Sequence, residues 1–540
     1  MMKRIIDRLN EFDGWIGVII GIVTVFAGIV GTLQVHAGNL NTDYRAETQR
    51  YSLDAMRIRS VGETMVSANL DYAARVDELL TQQNDLAELT GQTDAVATLS
   101  EAKAALAIIS PAYGEPYASM GDKAAAAYEV DVYLRDATRA EQMRTFMQAL
   151  DMAWDSKANT YIVHLTLLAV VLGLLGLCLV MSDIPRLMIF STAILISLIT
   201  LNWSIQNYSE PLPAYSPAAV DAYVKGYTLA YQEDAAGAIA AYDEAIAALP
   251  SYGDAHYERA LVLYGQGKND EALAGFAAAR AAGYDVSSVD SWQSYLYLVV
   301  GDIAQARTIT QAWVTREPAS PTALGTMIAV TAAETDPAAV GAATKALRDS
   351  AVASVAAIRA KGNEPDEDFF YAIDEAADII TELRDSEPIA GAPERSAEQA
   401  TAIDAAIADV RSLATTLAFQ LTPSAGTLQE LVLGTKDEGD AFVASDAFDN
   451  MSFDGIPLTI EATATAVPQG AHVLVKFFSD GYEDESLRYI GEWDQASDGV
   501  VAIDVPIDLG PSYVLPEGNY AVEVYIDGTL QGARMEFVVE

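Results

Sequence analysis

Basic residues and cysteine are what this chain has least of. Its 540 residues carry 32 Lys+Arg against 76 Asp+Glu, a formal net charge of −44. A surface of that sign repels phosphate, which argues against nucleic acid as a partner. It equally disfavours docking on anionic lipid through a polybasic patch. The one cysteine, Cys178, excludes a disulfide framework and a cysteine-rich zinc site. His36, His164, His256 and His472 are too scattered to suggest a histidine metal centre. Nucleophile elbow, phosphate loop and His-Glu-x-x-His motifs are all missing. The expectation is a protein without enzymatic activity, cofactor or metal. The length exceeds one domain several-fold, so three or four units are expected.

What is present is apolar. The chain is 51% hydrophobic, and its mean hydropathy is +0.16 despite the acidity. Three segments account for this: residues 15–36, 161–181 and 187–205. Each is about the ~20 residues that cross a bilayer as a helix. Trp15, Tyr161 and Trp203 stand near segment ends, where amphipathic rings favour the headgroup region. The first apolar run is too long for the core of a cleaved signal peptide, so it reads as an anchor. Lys3, Arg4 and Arg8 precede it, and Arg186 lies in the five-residue link between the second and third. Placing both basic flanks inside leaves residues 1–14 cytoplasmic. Residues 37–160 and everything after 205 then lie outside, with the chain in the inner or plasma membrane. Gly14, Gly21 and Gly28, with Gly17, Thr24 and Gly31, draw a small-residue stripe down the first segment. Such stripes let helices approach closely in lipid, here against the other spans or another copy in a homo-oligomer. Cys178 reads as an apolar filler and His164 as an interfacial residue.

Residues 37–160 show loose helical spacing on both sides of a break at Ser110–Pro116. A helix leaving the membrane and one returning predict an antiparallel helical bundle. The layout is similar to the four-helix ligand-binding domains of bacterial chemoreceptors, without a shared motif. The link on the inner side is too short for an output domain, which disfavours a receptor of that family. A small-molecule sensor using this bundle is the alternative function.

Residues 215–421 contain a repeat. Ala238, Ala272 and Ala306 are spaced by 34, as are Tyr242 and Phe276, Ala245 and Ala279, and Gly226 and Ala260. Pro250 and Pro318 stand two periods apart, and Gly267 and Gly301 mark the turn within a helix pair. In the third unit Thr310 replaces the aromatic residue and Trp313 the alanine. This pattern resembles the tetratricopeptide repeat (TPR) over roughly residues 219–320. One helix pair cannot bury its apolar face alone, so pairs stack into an α-solenoid. Beyond 320, breaks at Asp336-Pro337, Gly362–Pro365 and Glu387-Pro388 separate further helices, read as degenerate or capping pairs. The resemblance implies that the first helix of each pair lines a concave groove for protein or peptide partners. Its groove positions map onto Tyr223, Tyr227, Tyr231, Tyr257, Tyr264 and Tyr295. Their alternative role is packing between repeats.

Residues 430–540 alternate as short strands, with an Asp527-Gly528 hairpin turn near the end. About seven strands predict a β-sandwich. The run Pro516–Tyr520 before an alternating strand resembles the last hairpin of bacterial immunoglobulin-like modules. Residues 425–540 hold 4 basic against 22 acidic residues. The acidic clusters at Asp446, Asp449 and Asp454, and at Asp480–Glu485, lack the EF-hand spacing and read as solvated loops. The expected architecture is a mainly α membrane protein with three spans, an extracytoplasmic bundle, a TPR-like array and an immunoglobulin-like sandwich. Its expected role is an extracytoplasmic scaffold or adaptor for protein partners at the cell surface. A self-assembling surface protein is a further alternative.

Overall fold

A computed structural model describes residues 2–89, 96, 98, 116–181, 183–333, 336–385, 396–436, 441–448, 458–479, 482–484, 487–493, 497–505, 515 and 518–539. Residues 110–115 of the expected break, and Glu387-Pro388 and Pro516-Glu517, lie outside these. The chain forms two compact units, Met1–Tyr284 and Asp285–Glu540.

The first unit is entirely helical among the described residues. Helix α1 runs Met2–Leu89. After a 3₁₀ turn at Tyr117–Lys123, α2 runs Ala124–Cys178, with a π-helical turn at Val130–Leu134. Helix α3 spans Asp183–Ser209. All three contain stretches long and apolar enough to cross a membrane. Helices α1 and α2 pair antiparallel. Asn41 Nδ2 meets Asp151 Oδ1 at 2.6 Å, and farther out Asn69 Nδ2 meets the Tyr128 hydroxyl at 3.0 Å. Between residues 37 and 160 the described residues thus form a two-helix hairpin.

The seam of α1 repeats every seven residues: Ile16, Val23, Val30 and Ala37 are buried, the last three in one cluster with Leu168, Val171 and Leu175 of α2. That is the spacing of a left-handed supercoil. The glycine stripe lies on another face. A Cβ added at Gly14, Gly17, Gly21 or Gly28 would meet nothing within 4 Å, and one at Gly31 only Leu165 at 3.9 Å. Apart from Gly31, the stripe's glycines therefore do not pack against the other two apolar helices. Close approach is set instead at Gly62, where a Cβ would lie 2.1 Å from Tyr133 Cβ. Helix α3 is tied to α2 at its end, where buried Lys157 donates to the carbonyls of Asn207 and Glu210. An ammonium there meets the unpaired carbonyls of a helix C-terminus. His164 is buried between Ser204, 3.0 Å away, and the Trp203 ring. Cys178 is buried at the end of α2.

Two helix pairs complete this unit: α4 (Pro217–Tyr231) with α5 (Ala235–Ala248), and α6 (Gly253–Gly265) with α7 (Asn269–Ala281). A Cβ on Gly226 would lie 2.7 Å from the Tyr242 ring, so only glycine lets α4 approach α5. Ala238, Tyr242, Ala245, Ala260, Ala272, Phe276 and Ala279 are fully buried. Pro250 is exposed two residues past α5.

The second unit opens on a third pair, α8 (Val286–Val299) and α9 (Ile303–Arg316). Ala306 is buried, and Pro318 stands exposed two residues past α9. The small–aromatic partners of the first two pairs become Ser294 and Thr310, whose hydroxyls meet at 2.9 Å. The turns keep the same register: Glu233, Gly267 and Gly301 all have positive φ, of 58°, 71° and 83°. Helices α10 (Pro321–Ala333), α11 (Pro337–Arg359), α12 (Glu367–Asp385) and α13 (Ala397–Ala418) follow. They share one core of Ile328, Leu347, Ile373, Ile380, Ile403 and Val410.

Among the described residues ten strands close the chain: β1 (Thr427–Lys436), β2 (Phe442–Ala444), β3 (Ala447–Phe448), β4 (Leu458–Val467), β5 (His472–Ser479), β6 (Tyr482–Glu483), β7 (Tyr489–Glu492), β8 (Ser497–Val505), β9 (Gly518–Ile526) and β10 (Thr529–Val539). One sheet has the order β2-β1-β4-β8. The other has β3-β10-β9-β5-β6, with β7 also on β5. Every pairing is antiparallel except β10 with β3. Asp527 and Gly528 both take positive φ in the β9–β10 turn, as a two-residue hairpin demands. The two sheets enclose one core built from Ile460, Val475, Phe477, Val522, Val524 and Phe537. The opposite face of the second sheet is buried too. Leu474, Lys476, Ala521, Glu523 and Tyr525 are all under 9% exposed.

Candidate functional site

The face expected to line the groove is where polar and aromatic side chains gather in the first unit. Tyr223, Tyr227 and Tyr231 recur every four residues and so share one side of α4. Tyr223 is buried. Its ring centre lies 5.3 Å from that of Tyr252, 5.7 Å from Tyr242 and 6.3 Å from Tyr227. Burial pushes its hydroxyl well above the usual range, helped by the nearby carboxylates Glu258 and Asp254. Tyr227 is half-buried against the hairpin cluster of Val66, Tyr128, Tyr133 and Leu134. Tyr231 is the most open, yet its hydroxyl donates to Glu129 of α2. It is pushed up to about 12, by desolvation first and by that carboxylate second.

The chain's own hairpin therefore covers these positions. Tyr252 donates to Gln142 Oε1 at 2.8 Å, and the Phe146 ring sits 5.1 Å from Tyr252. Lys123 donates to the Gln232 carbonyl, and Arg139 pairs with Asp221 at 2.9 Å. The expectation of three open groove tyrosines on α4 is corrected here, because α1 and α2 fill the concavity they face. On α6, Tyr257 is buried and stacked on Tyr284 at 4.2 Å, which makes it a packing residue. Tyr264 is half-buried. In the second unit Tyr295 donates to Glu382 Oε1 at 2.5 Å.

Two acidic residues beside these tyrosines carry the sharpest electrostatics. Asp254 and Glu258 stand one turn apart on α6, both half-buried. Glu258 is pushed up to about 7, first by desolvation and then by Asp254. Burial also raises Asp254, against the Gln142 amide that hydrogen-bonds it. Sequence reasoning passed over Gln142, Phe146, Asp254 and Glu258. The four-residue spacing of each pair was the available signal.

A second polar centre lies in the second unit, on the buried outer face of its larger sheet. Arg411 of α13 pairs with Glu523 and, at 3.1 Å, with Asp378. Arg534 reaches Glu523 at 2.9 Å, and Tyr525 donates to Glu523 Oε2 at 2.6 Å. Lys476 bridges Asp374 and Glu483 at 3.3 and 3.0 Å. Arg488 also holds Glu483. Three of the four basic residues of 425–540 are thus spent on this network, and the fourth, Lys436, pairs with Asp504. Asp449, Asp454, Asp480 and Glu485 lie outside the described residues. Among the described residues no three His, Cys, Asp or Glu side chains converge as a metal site.

No protein-family model and no curated protein matches the chain. Solved structures with some likeness include YrrB, described as a TPR protein with an unusual peptide-binding site. It is 16% identical, with a TM-score of 0.24, over 38% of this chain and 92% of that one. The Cut9-Hcn1 hetero-tetramer of the APC/C is 13% identical, with a TM-score of 0.24, over 72% and 90%. The Pseudomonas fluorescens DNA glycosylase AlkC is 10% identical, with a TM-score of 0.19, over 75% and 99%. At such scores the repeat rests on what this chain displays: three helix pairs whose buried small, aromatic and hydroxyl partners recur every 34 residues.

Proposed function

We propose that the chain is a membrane-anchored scaffold whose TPR-like helix pairs and immunoglobulin-like sandwich hold protein partners outside the cytoplasm. The 34-residue recurrence of tightly packed helix pairs carries this reading, since such arrays offer extended surfaces to other chains. The three apolar helices and the basic flanks Lys3, Arg4, Arg8 and Arg186 support the anchoring and its direction. Because α1 and α2 cover Tyr223, Tyr227 and Tyr231, the partner surface moves to the second pair, around Tyr264. A photo-cross-linking residue placed at 264 in intact cells should yield discrete protein adducts, and one at the exposed Ala247 should not. Adducts absent from 264, or identical at both positions, refute the scaffold role. A cysteine at the exposed Ser251 should react with a membrane-impermeant maleimide in the same cells; protection refutes the external placement.

One observation favours the sensor as a second reading. Helices α1 and α2 continue without a break from their apolar stretches to the repeat array. A ligand bound along them has a rigid route to both ends.

A further inference from the structure

The α1–α2 hairpin lies on the first helix pair through contacts that can be undone. Residues 210–216, between the end of α3 and the start of α4, form neither helix nor strand. Three of the polar contacts are exposed: Tyr231 with Glu129, Lys123 with the Gln232 carbonyl, and Arg139 with Asp221. Exposed pairs of this kind contribute little each. The apolar part is built on Phe146 and Met143 against Tyr215 and Tyr252, and on the hairpin cluster against Tyr227. Tyr133 and Leu134 of that cluster stand in the π-helical turn of α2, a departure from regular helix that recurs at functional sites.

Beneath this contact lies an acidic centre without a cation of its own. Asp254 meets Gln142 of α2, and Glu258, one turn along α6, acts on Tyr227, which the hairpin covers. The groups around Glu258 are Asp254 on its own helix, Tyr223 and Tyr227 of α4, and Tyr242 of α5. The hairpin brings the neutral Gln142 amide and, beside Tyr227, Arg59, which pairs with Glu63 of its own helix at 4.0 Å. Among the described residues Glu258 has no hydrogen-bond or ion-pair partner, and the buried Tyr242 hydroxyl has none either. An ionised Glu258 is therefore desolvated without compensation while the hairpin is seated, and is hydrated once it leaves. Its carboxyl is raised from 4.5 to about 7 in the covered state. Cover is thus favoured below about pH 4.5 and weakens as pH rises towards 7.

We propose that the hairpin is a reversible cover: it sits on Tyr223, Tyr227 and Tyr231 while Glu258 is protonated, and the array swings off it on the 210–216 link when Glu258 is ionised. The exposed face then adds to the partner surface around Tyr264. That consequence rests on the scaffold reading, but the test reads only a distance within the chain. Spin labels on Ala68→Cys of α1 and Ala247→Cys of α5, both exposed, are placed in the full chain carrying Cys178→Ala, in detergent. Pulsed electron spin resonance should give one distance at pH 5 and a second, longer one at pH 8. The ratio of open to closed should rise at least about fivefold, well within what a shift from 4.5 to about 7 allows. Glu258→Gln should hold the closed distance at both pH values, and Glu258→Asp should restore the response. Arg139→Glu, which sets like charge against Asp221, should populate the longer distance already at pH 5. Helix content by circular dichroism should stay unchanged throughout. The proposal is overturned if the closed distance alone is found at both pH values, if Glu258→Gln still responds, or if the longer distance comes with loss of helix. A distance change that stands while cross-linking at 264 fails refutes the scaffold role and leaves the cover intact.

Discussion

Glu258 shows how one side chain can set the pH response of the first unit. Its carboxyl ordinarily titrates near 4.5 and is raised to about 7 in the folded chain. Between those values the folded state holds a proton that the unfolded state releases. Stability is therefore greatest below about pH 4.5 on this account and falls as pH rises towards 7. At about 1.4 kcal/mol per unit, the loss is at most about 3.5 kcal/mol. Glu258→Gln should remove that slope and make the chain more stable at pH 8 by about 1–3 kcal/mol. Urea unfolding at pH 5 and pH 8 measures it, and an unchanged slope would place the titration elsewhere. The same scale shows what the sequence made legible. Gly226, Tyr242, Ala260 and Phe276 announced themselves because a small–large pair is a packing code. Ser294 and Thr310 occupy the same two positions but satisfy each other by a hydrogen bond, so the apolar pattern faded while the geometry persisted. The direction the tyrosines face was not legible. Gln142, which meets Tyr252, lies 110 residues away in the chain, and no local pattern reports such a neighbour.

Among the elements, β9 departs most from its sequence pattern. Val522, Val524 and Ile526 alternate with Glu523 and Tyr525, which reads as one buried and one wet face. The structure buries both, because α12 and α13 lie over the outer one. Glu523 is 1% exposed and holds Arg411 and Arg534 together. A buried charge is tolerated only while its partners remain, so removing one of them is far worse than removing all. Glu523→Ala should destabilise the second unit by about 3–5 kcal/mol. Adding Arg411→Met and Arg534→Met should recover part of that loss. Equilibrium unfolding of the unaltered chain, the single variant and the triple variant tests this, and a triple variant less stable than the single one would contradict it. The strands themselves were legible from alternation and from Asp527-Gly528. The charged outer face was not, because acidic and basic residues on a strand ordinarily mark solvent.

At the scale of the molecule, the excess of acid and the scarcity of Lys and Arg take on a structural meaning. The last 116 residues have four basic side chains, and Lys476, Arg488 and Arg534 are drawn into the network beneath α12 and α13. The sequence marked residues 430–540 off from the helices as a sandwich of their own. The structure makes it one body with the helices before it: Leu530 N donates to Ser412 Oγ at 3.0 Å, and Thr416 Oγ1 to the Gly528 carbonyl. Stripped of those helices, the larger sheet would expose Leu474, Phe478 and Tyr525. It would also leave Lys476 and Glu523 without Asp374 and Arg411. Exposed apolar surface on a sheet invites association, and the lost charge partners weaken what remains. A fragment of residues 425–540 should therefore aggregate or bind a hydrophobic dye, without a cooperative melt. A fragment of residues 285–540, the whole second unit, should melt in one transition whether followed by helical or by strand signal. A sharp melt of 425–540 within a few degrees of the longer fragment would show that the helices cover the sheet without stabilising it.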